Sequence, residues 1–392
     1  MLSLDEARQV IAQSLSMLPA EHVPLTDAQN RFLRSPLVAA EDMPPFDRSA
    51  FDGYALPAQN APTTLRVAFE IPAGHPAPRA LRSGECARIF TGGAIPQGAD
   101  AVAMQEVCMR KDDSVEIPVI ASGSGVRRRG EDSPAGTMLL ESGCRLGPVE
   151  LALLAQLGKV QPLVAPRPRI FHVRTGSEII APEAEPQSGQ IRDSNSTLIR
   201  ALVADAGCEL VGAATAGDDL PELLTACAGA DDAQILLISG GASVGDYDFG
   251  RAALTELGYS VRFSALNLRP GKPLIFATRG RQCAFVIPGN PLSHFVCWHV
   301  VIRAALDALV HGMSALVLEE FTLGGAKPLP GNPRETWWPA RLAFRDGTAL
   351  AEPMKWQSSG DLTGLSGVRL LLRIPSNASS ISPGATVQAL VL

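Results

Sequence analysis

The chain has 392 residues and a formal net charge of -6, which sets an expectation of two to four domains, each long enough to bury a core of its own. The acidic balance excludes a long nucleic-acid interface, since phosphate backbones are held by clustered Lys and Arg. The one tight basic cluster, Arg127-Arg128-Arg129, is followed at once by Gly130-Glu131-Asp132.

The N-terminus, MLSLDEARQV, carries acids where a secretion signal carries Lys or Arg. Apolar residues at helical spacing over residues 4–18, with Ser3 as cap and Glu6 three positions on, predict an amphipathic helix. A short second helix is expected over residues 28–33, before Pro36, Pro44 and Pro45 force extended chain and introduce PPFDRSAFDGYA (44–55). From there to about Gly136, short β-type runs are separated by Pro and Gly; one, residues 65–71, is apolar at every second position (Leu65, Val67, Phe69, Ile71). That stretch reads as a small all-β domain. Residues 147–158 form a connecting helix with a Pro148 start and a Gly158 stop.

Beyond Pro166 the pattern alternates: strand 170–173, helix 196–206, strand 209–213, helix 220–228, strand 234–239, helix 249–257. Such alternation predicts a parallel sheet covered on both faces. Strands at 274–277 and 283–287 follow, then an apolar helix from Leu292 to about Val310, capped by Asn290 or Ser293. Residues 316–392 are short apolar alternations broken by Gly and Pro, read as a β-barrel or sandwich. No apolar run approaches the ~20 residues of a membrane helix, so no membrane partner and a cytoplasmic location are expected. The seven cysteines are scattered and lack C-x-x-C spacing, and His294 and His299 have no Glu at zincin spacing, so neither a disulfide framework nor a zinc site is indicated.

In open α/β sheets ligands bind outside the carboxyl ends of the strands, and the informative turns fall there. ISGGASVGDYDF (238–249) follows the apolar run 235–237 directly. Gly240, Gly241 and Gly245 remove side chains where a bulky anion could approach main-chain N–H groups, with Ser239, Ser243, Asp246 and Asp248 around them. RPGKP (269–273) and IPGNPLS (287–293) lie close behind. RTGSE (174–178) and AGDD (216–219) end two further strands, and in GQIRDSNS (189–196) Asp193, Ser194 or Asn195 would cap the next helix.

Carried by PPFDRSAFDGYA, RIFTGGAIPQGADAVAMQE (88–106), RRRGED (127–132), TGSE, GQIRDSN, SGGASVGDYD, RPGKP and IPGNP, in that order, the chain resembles the molybdopterin molybdenumtransferase family, the MoeA type, equivalent to the molybdate-inserting domain of gephyrin. The resemblance implies a multidomain α/β plus β fold. Its parts would be a helical and extended linker domain (1–55 and 137–165), a β-rich lid domain (56–136), a MogA-like molybdopterin-binding domain with a central parallel α/β sheet (166–313), and a C-terminal β-barrel domain (314–392). It also implies an elongated homodimer whose active site lies between the α/β domain of one subunit and the lid and linker of the other. The implied reaction inserts molybdate into adenylylated molybdopterin with Mg²⁺, releasing AMP and molybdenum cofactor. Upstream adenylyltransferase and recipient molybdoenzymes would be further partners.

By the same resemblance Asp52, Thr91, Asp132, Glu178, Asp218 and Asp248 are the expected catalytic residues, with Asp52, Asp218 and Asp248 organising the metal or orienting water. Ser239, Gly240, Gly241, Ser243, Asp246, Arg269, Lys272, Pro288, Gly289, Asn290 and Pro291 are expected to bind the pterin phosphate or molybdate. Arg334 and Ser359 either contact ligand or play a plain surface role. So many carboxylates facing anionic substrates need a cation, since each unscreened anion pair costs ~4 kcal/mol at ~4 Å and an effective dielectric of ~20. Three departures from the family pattern stand out: Ser177 where the TGDE-type turn has an acid, Ala265 and Arg269 at two positions commonly basic, and WQSSGDLTGLSG (356–367) without an asparagine. They leave molybdate against tungstate open, and with it a non-catalytic carrier or scaffold role.

Overall fold

The structure, a computed structural model, describes residues 1–241 and 249–392. It divides into two compact units, one of Met1–His22, Asn30–Phe32 and Val164–Leu392, the other of Val23–Gln29 and Leu33–Leu163.

Helix α1 (Leu4–Ser14) opens the first unit with a capping box: Ser3 Oγ accepts the Glu6 N–H at 3.2 Å and the Glu6 carboxylate accepts the Ser3 N–H at 2.7 Å. It stops a turn short of the predicted end. Leu18 N–H donates instead to the Leu309 carbonyl at 2.9 Å, while Leu15 and Leu18 pack on the core from outside the helix. The helix expected over residues 28–33 does not form. A 3-10 turn covers Leu25–Asp27, Asn30 adopts φ +62°, and Leu33 N–H donates to the Cys144 carbonyl at 2.9 Å, so long-range bonds replace the i→i−4 ladder.

In the second unit β1 (Gly53–Leu56), β2 (Thr63–Ile71), β3 (Glu85–Ile89), β4 (Ala101–Met104), β5 (Met109–Lys111) and β6 (Ser114–Ile117) form a sheet in the order β4-β1-β3-β2-β6-β5. Only β2 and β3 run parallel. The alternation along β2 does not hold one face. A register shift between Val67 and Phe69 places Leu65 and Val67 in one core and Phe69 and Ile71 in the other, because an extra residue in a period-two strand inverts every side chain after it. Helix α2 (Pro148–Gln156) has Pro at its start, and Gly158, at φ +67°, follows its end as the sequence predicts.

The remainder of the first unit alternates as expected: β7 (Arg169–Thr175), α3 (Asn195–Asp205), β8 (Glu209–Ala216), α4 (Leu220–Cys227), β9 (Ile235–Ser239), α5 (Phe249–Glu256), β10 (Ser260–Phe263), β11 (Leu268–Arg269), β12 (Ile275–Arg279) and β13 (Gln282–Ile287). The central sheet has the order β8-β7-β9-β13-β12-β10. Its first four strands are parallel, as the alternation predicts; at the edge β12 runs antiparallel to β13, and β10 antiparallel to β12. The reason is the short connection at Arg279–Gln282, which permits a hairpin where a parallel partner needs a crossover. One face packs on α1, α3 and the following helix, the other on α4 and α5.

That following helix, α6 (Pro291–His311), has 21 residues and is long and apolar enough to cross a membrane by length and composition, against the expectation that no run reaches that size. Burial explains it: 78% of its apolar window is buried inside the protein, so this is a core helix. A π-helical stretch, Trp298–Ile302, interrupts it, and there the buried Arg8 of α1 donates to the Val300 carbonyl at 2.8 Å.

Strands β14 (Glu319–Leu323), β15 (Glu335–Arg345), β16 (Thr348–Pro353), β17 (Leu370–Ile374) and β18 (Thr386–Val391) close a barrel in the order β15-β16-β14-β18-β17-β15. Leu370, Leu372 and Ile374 fill the barrel core, while the alternate Leu371 joins the core beneath the central sheet. Strand β11 pairs with the start of β15, which ties the RPGKP turn to the barrel.

Candidate active site

Thr175, Ala216, Ser239 and Ile287 end the four parallel strands, and the turns that follow wall a cavity of about 710 Å³. Glu178, Asp218, Gly240, Gly241, Pro288, Gly289, Asn290 and Pro291 all line it, so these expected site residues are brought together. Gly240 is required by its surroundings. It has φ +93°, and a Cβ there would lie 2.4 Å from Thr175 Oγ1. Expected residues Ser243, Asp246 and Asp248 lie outside the described residues.

The acids in this cavity are held by their neighbours. Ser177 donates its N–H at 3.0 Å and its hydroxyl at 2.7 Å to one oxygen of Asp218. Asp193 is buried, caps α3 by accepting the Ser196 N–H at 2.9 Å, and pairs with Arg174 at 3.3 Å. Of the three candidate caps, its side chain is the one that bonds a helix N–H. Asn195, next to it, donates to the Gly289 carbonyl at 2.6 Å and so holds the IPGNP turn.

Across Pro273, Pro288 and Asn290, which line both, lies a second cavity of about 330 Å³. Among the described residues its charged lining is Arg269, Lys272 and Arg334, with no acid, beside Ser358, Ser359 and Trp356. The Arg269 guanidinium lies over the Trp356 ring, 5.3 Å from its centroid. Gly271 (φ +108°) admits the turn because a Cβ would meet Cys297 Sγ at 2.5 Å. Asn290 begins α6 and donates from its side chain to Ser359 Oγ at 2.8 Å. Arg334 and Ser359 therefore belong to a cavity wall.

Asp52, Thr91 and Asp132 belong to the second unit. Asp52 Oδ1 accepts both the N–H and the hydroxyl of Thr91, each at 2.8 Å, and the backbone bond first, then the hydroxyl, holds this carboxyl below the usual carboxylate range. Asp132 is paired with Arg127. Arg128 and Arg129 are likewise engaged by Asp47 and Asp42, so the basic cluster is neutralised locally.

Sequence reasoning gave no role here to three groups, His172 and Trp356, which it did not single out, and His294, which it weighed only as a zinc ligand; both histidines are buried against Ser239. A single histidine in a strand and another in a helix carry no spacing signal, and only the folded sheet brings them to one hydroxyl. Ser239 lines the cavity, but its hydroxyl is spent on these imidazoles, so its contribution there is positional.

Known proteins resemble this chain along most of its length. Residues 2–158 match the family described as MoeA N-terminal region (domain I and II), residues 172–308 the Probable molybdopterin binding domain, and residues 325–392 the MoeA C-terminal region (domain IV). The chain is 37% identical to Molybdopterin molybdenumtransferase 2 of Mycobacterium tuberculosis over 78% of this chain and 79% of that one. It is 34% identical to Molybdopterin molybdenumtransferase of Nostoc sp. over 96% and 90%. The molybdopterin biosynthesis moea protein of Pyrococcus horikosii superposes over 100% of this chain and 99% of that one, with a TM-score of 0.83 at 27% identity. With all three family regions present in order and relatives this similar over most of their length, the chain belongs to the molybdopterin molybdenumtransferase family.

Proposed function

We propose that the chain is a molybdopterin molybdenumtransferase, inserting molybdate into adenylylated molybdopterin and releasing AMP. The observation that carries this reading is the pair of adjoining cavities: a large one at the carboxyl ends of the parallel strands, lined by Glu178, Asp193 and Asp218 together with Arg174 and Arg192, and a smaller one whose charged groups among the described residues are all cationic, with Pro273, Pro288 and Asn290 between them. Arg269, Lys272 and Arg334 suit a tetrahedral oxyanion, Arg as a planar fork and Lys as a point charge. The larger cavity suits the pterin nucleotide, with Gly240 and Gly241 admitting phosphate close to the main chain.

The family implies Mg²⁺, and the residues fit it. Asp218 has one oxygen taken by Ser177 while the other accepts no hydrogen bond from the described residues. Asp52 is in the same state beside Thr91. No cluster of three or more His, Cys, Asp or Glu forms among the described residues; Asp248 lies outside them, and Mg²⁺ is often held by a few carboxylates completed by substrate phosphate. Asp218 and Asp248, with Asp52 of a second subunit, would hold it, and when bound it supplies charge neutralisation and Lewis-acid polarisation of the adenylyl phosphate. Glu178 stands at the rim to orient water or nucleotide. Asp52, Thr91 and Asp132 complete the site in a homodimer whose subunits are organised as a linker domain (1–55 and 137–165), a lid (56–136), a molybdopterin-binding domain (166–313) and a C-terminal barrel (314–392). The protein acts in the cytoplasm, between an adenylyltransferase and recipient molybdoenzymes.

The test is direct. Purified protein is incubated with adenylylated molybdopterin, Mg²⁺ and molybdate or tungstate, and AMP release and activation of a cofactor-free molybdoenzyme are followed. Release that depends on oxyanion supports the reading; binding without release with either oxyanion would replace it with a carrier.

A further inference from the structure

The strand end that carries the glycine turn is tied from below by three buried side chains. Ser239, the last residue of β9, lies between His172 of β7 and His294 in the first turn of α6. Its Oγ is 2.7 Å from His172 Nε2 and 2.8 Å from His294 Nε2, and the three residues are 3%, 1% and 0% exposed. On the other side of the strand end, Thr175 Oγ1 donates to the Ser239 carbonyl at 3.1 Å.

Hydrogen-bond stoichiometry gives this column a direction. His294 Nδ1 is 3.1 Å from the Asn290 carbonyl, which can only accept. Assigned from the network, the proton of His294 is on Nδ1 and its Nε2 is an acceptor. The Ser239 O–H therefore donates to His294, and His172 Nε2–H donates to Ser239. Both imidazoles are neutral, pushed down to about 4, each chiefly by burial; Asp193 opposes this for both, and for His172 its neighbours His294 and Arg174 add to it. The column ends on Asn290, which lines both cavities and reaches Ser359.

We propose that His172, Ser239 and His294 are positioning residues for the transferase reaction: their proton-ordered column holds the glycine turn and Asn290, and so fixes the wall between the nucleotide and oxyanion cavities. The inference rests on the two-cavity reading above. None of the three touches the reacting atoms. Misplacing a binding group by about 1 Å can cost up to about a hundredfold in rate, an effect on kinetics that a purely structural role in a folded variant would not produce.

The experiment compares Ser239→Ala, His172→Leu and His172→Gln, each checked as folded by circular dichroism well below its unfolding midpoint. Ser239→Ala removes both bonds, His172→Leu removes the donor, and His172→Gln returns an N–H to the Nε2 position. Steady-state AMP release is measured against molybdate and adenylylated molybdopterin, and imidazole nitrogen chemical shifts report the His294 tautomer. The expected result is a fall in kcat/KM for molybdate of about tenfold in Ser239→Ala and His172→Leu, recovery to within about twofold in His172→Gln, and a single Nδ1–H tautomer in the parent that becomes a mixture in Ser239→Ala. Unchanged kinetics in Ser239→Ala and His172→Leu would overturn the proposal, as would a parent His294 protonated on Nε2. If Ser239→Ala does not fold, the His172 pair and the parent tautomer decide. A parent protein that releases no AMP in response to molybdate sinks the transferase reading instead, and the tautomer then judges the column.

Discussion

Ser177 grips Asp218 with two donors on one carboxylate oxygen, its N–H at 3.0 Å and its hydroxyl at 2.7 Å. Thr91 grips Asp52 in the same way. Ser177 stands where the family turn has an acid, and it contributes orientation in place of charge. Ser177→Ala keeps the N–H bond and loses the hydroxyl, so a decrease in kcat/KM of about fivefold is expected, matching ~1 kcal/mol for one hydrogen bond. Asp218→Asn removes the charge itself, and a loss of roughly a hundredfold is expected, with weaker Mg²⁺ dependence. Steady-state AMP release over a Mg²⁺ series checks both, and equal effects from the two variants would count against Asp218 as the acting group.

Thr91 sets the ionisation of Asp52. The Thr91 N–H and then its hydroxyl hold Asp52 below the usual carboxylate range, so the folded protein keeps this group ionised to lower pH than an ordinary aspartate. Thr91→Val deletes the second donor and leaves the first. The Asp52 titration followed by carboxyl carbon shifts should therefore move part of the way back up, and the acid limb of the pH–rate profile should move to higher pH with it. An acid limb that stays where it was would show that Asp52 does not govern it.

Much of this site could be read before folding because each strand end is announced by the same chemistry, an apolar run followed by Gly, Pro or a short polar residue. Ile235–Ser239 followed by Gly240 and Gly241 is one instance, Gln282–Ile287 followed by Pro288 and Gly289 another. Two of the errors arise from contacts between distant residues. Leu18 leaves the helical pattern for the Leu309 carbonyl, and Leu33 for that of Cys144. The bulge after Val67 changes which face the rest of the strand presents, and periodicity alone carries no mark of it. The antiparallel edge of the central sheet comes from a local hairpin at Arg279–Gln282 that joins two apolar runs suited to either direction. His172, Ser239 and His294 are separated by 67 and 55 residues in sequence and meet only through sheet and helix packing.

The buried histidines make stability depend on pH in a defined sense. His172 and His294 are lowered to about 4 from an ordinary value of 6.5, so between those values the unfolded chain binds protons that the folded one refuses. Stability is full above 6.5 and falls as pH drops toward 4, by up to about 3 kcal/mol for each histidine. Unfolding midpoints measured from pH 7 to pH 4 should decline over this window, and His172→Gln should make the decline shallower. A flat profile in the parent would mean that these imidazoles are not buried as neutral bases.

Arg8 fastens α1 to the irregular part of α6. Its guanidinium donates to the Val300 carbonyl at 2.8 Å and to Ser314 Oγ at 2.6 Å, and it lies 3.9 Å from Asp307. Arg8→Ala leaves the Val300 carbonyl without this donor and removes one of the two cations, Arg303 and Arg8, that oppose the burial-raised carboxyl of Asp307. A loss of about 2 to 4 kcal/mol in chemical denaturation is expected. Arg8→Met, which restores the apolar stem, should recover only the packing part of that loss.

Trp356 orients the cation that sequence comparison leaves unusual. Arg269 keeps a positive charge, and its guanidinium lies over Trp356, 5.3 Å from the ring centroid. Trp356 meets Trp338 edge to face at 5.3 Å, and Trp338 Nε1 donates to the Met354 carbonyl at 2.9 Å, so the platform is built into the barrel. A cation–π contact contributes ~1 kcal/mol when partly desolvated. Trp356→Leu should therefore raise the KM for molybdate by about fivefold, with a smaller change for adenylylated molybdopterin, because the stack faces the cationic cavity. Trp356→Phe keeps an aromatic face and should fall between the two. Arg269→Lys loses both the stack and the planar fork, so combining it with Trp356→Leu should add little to either single change; a fully additive double variant would mean that the two side chains act separately on the oxyanion.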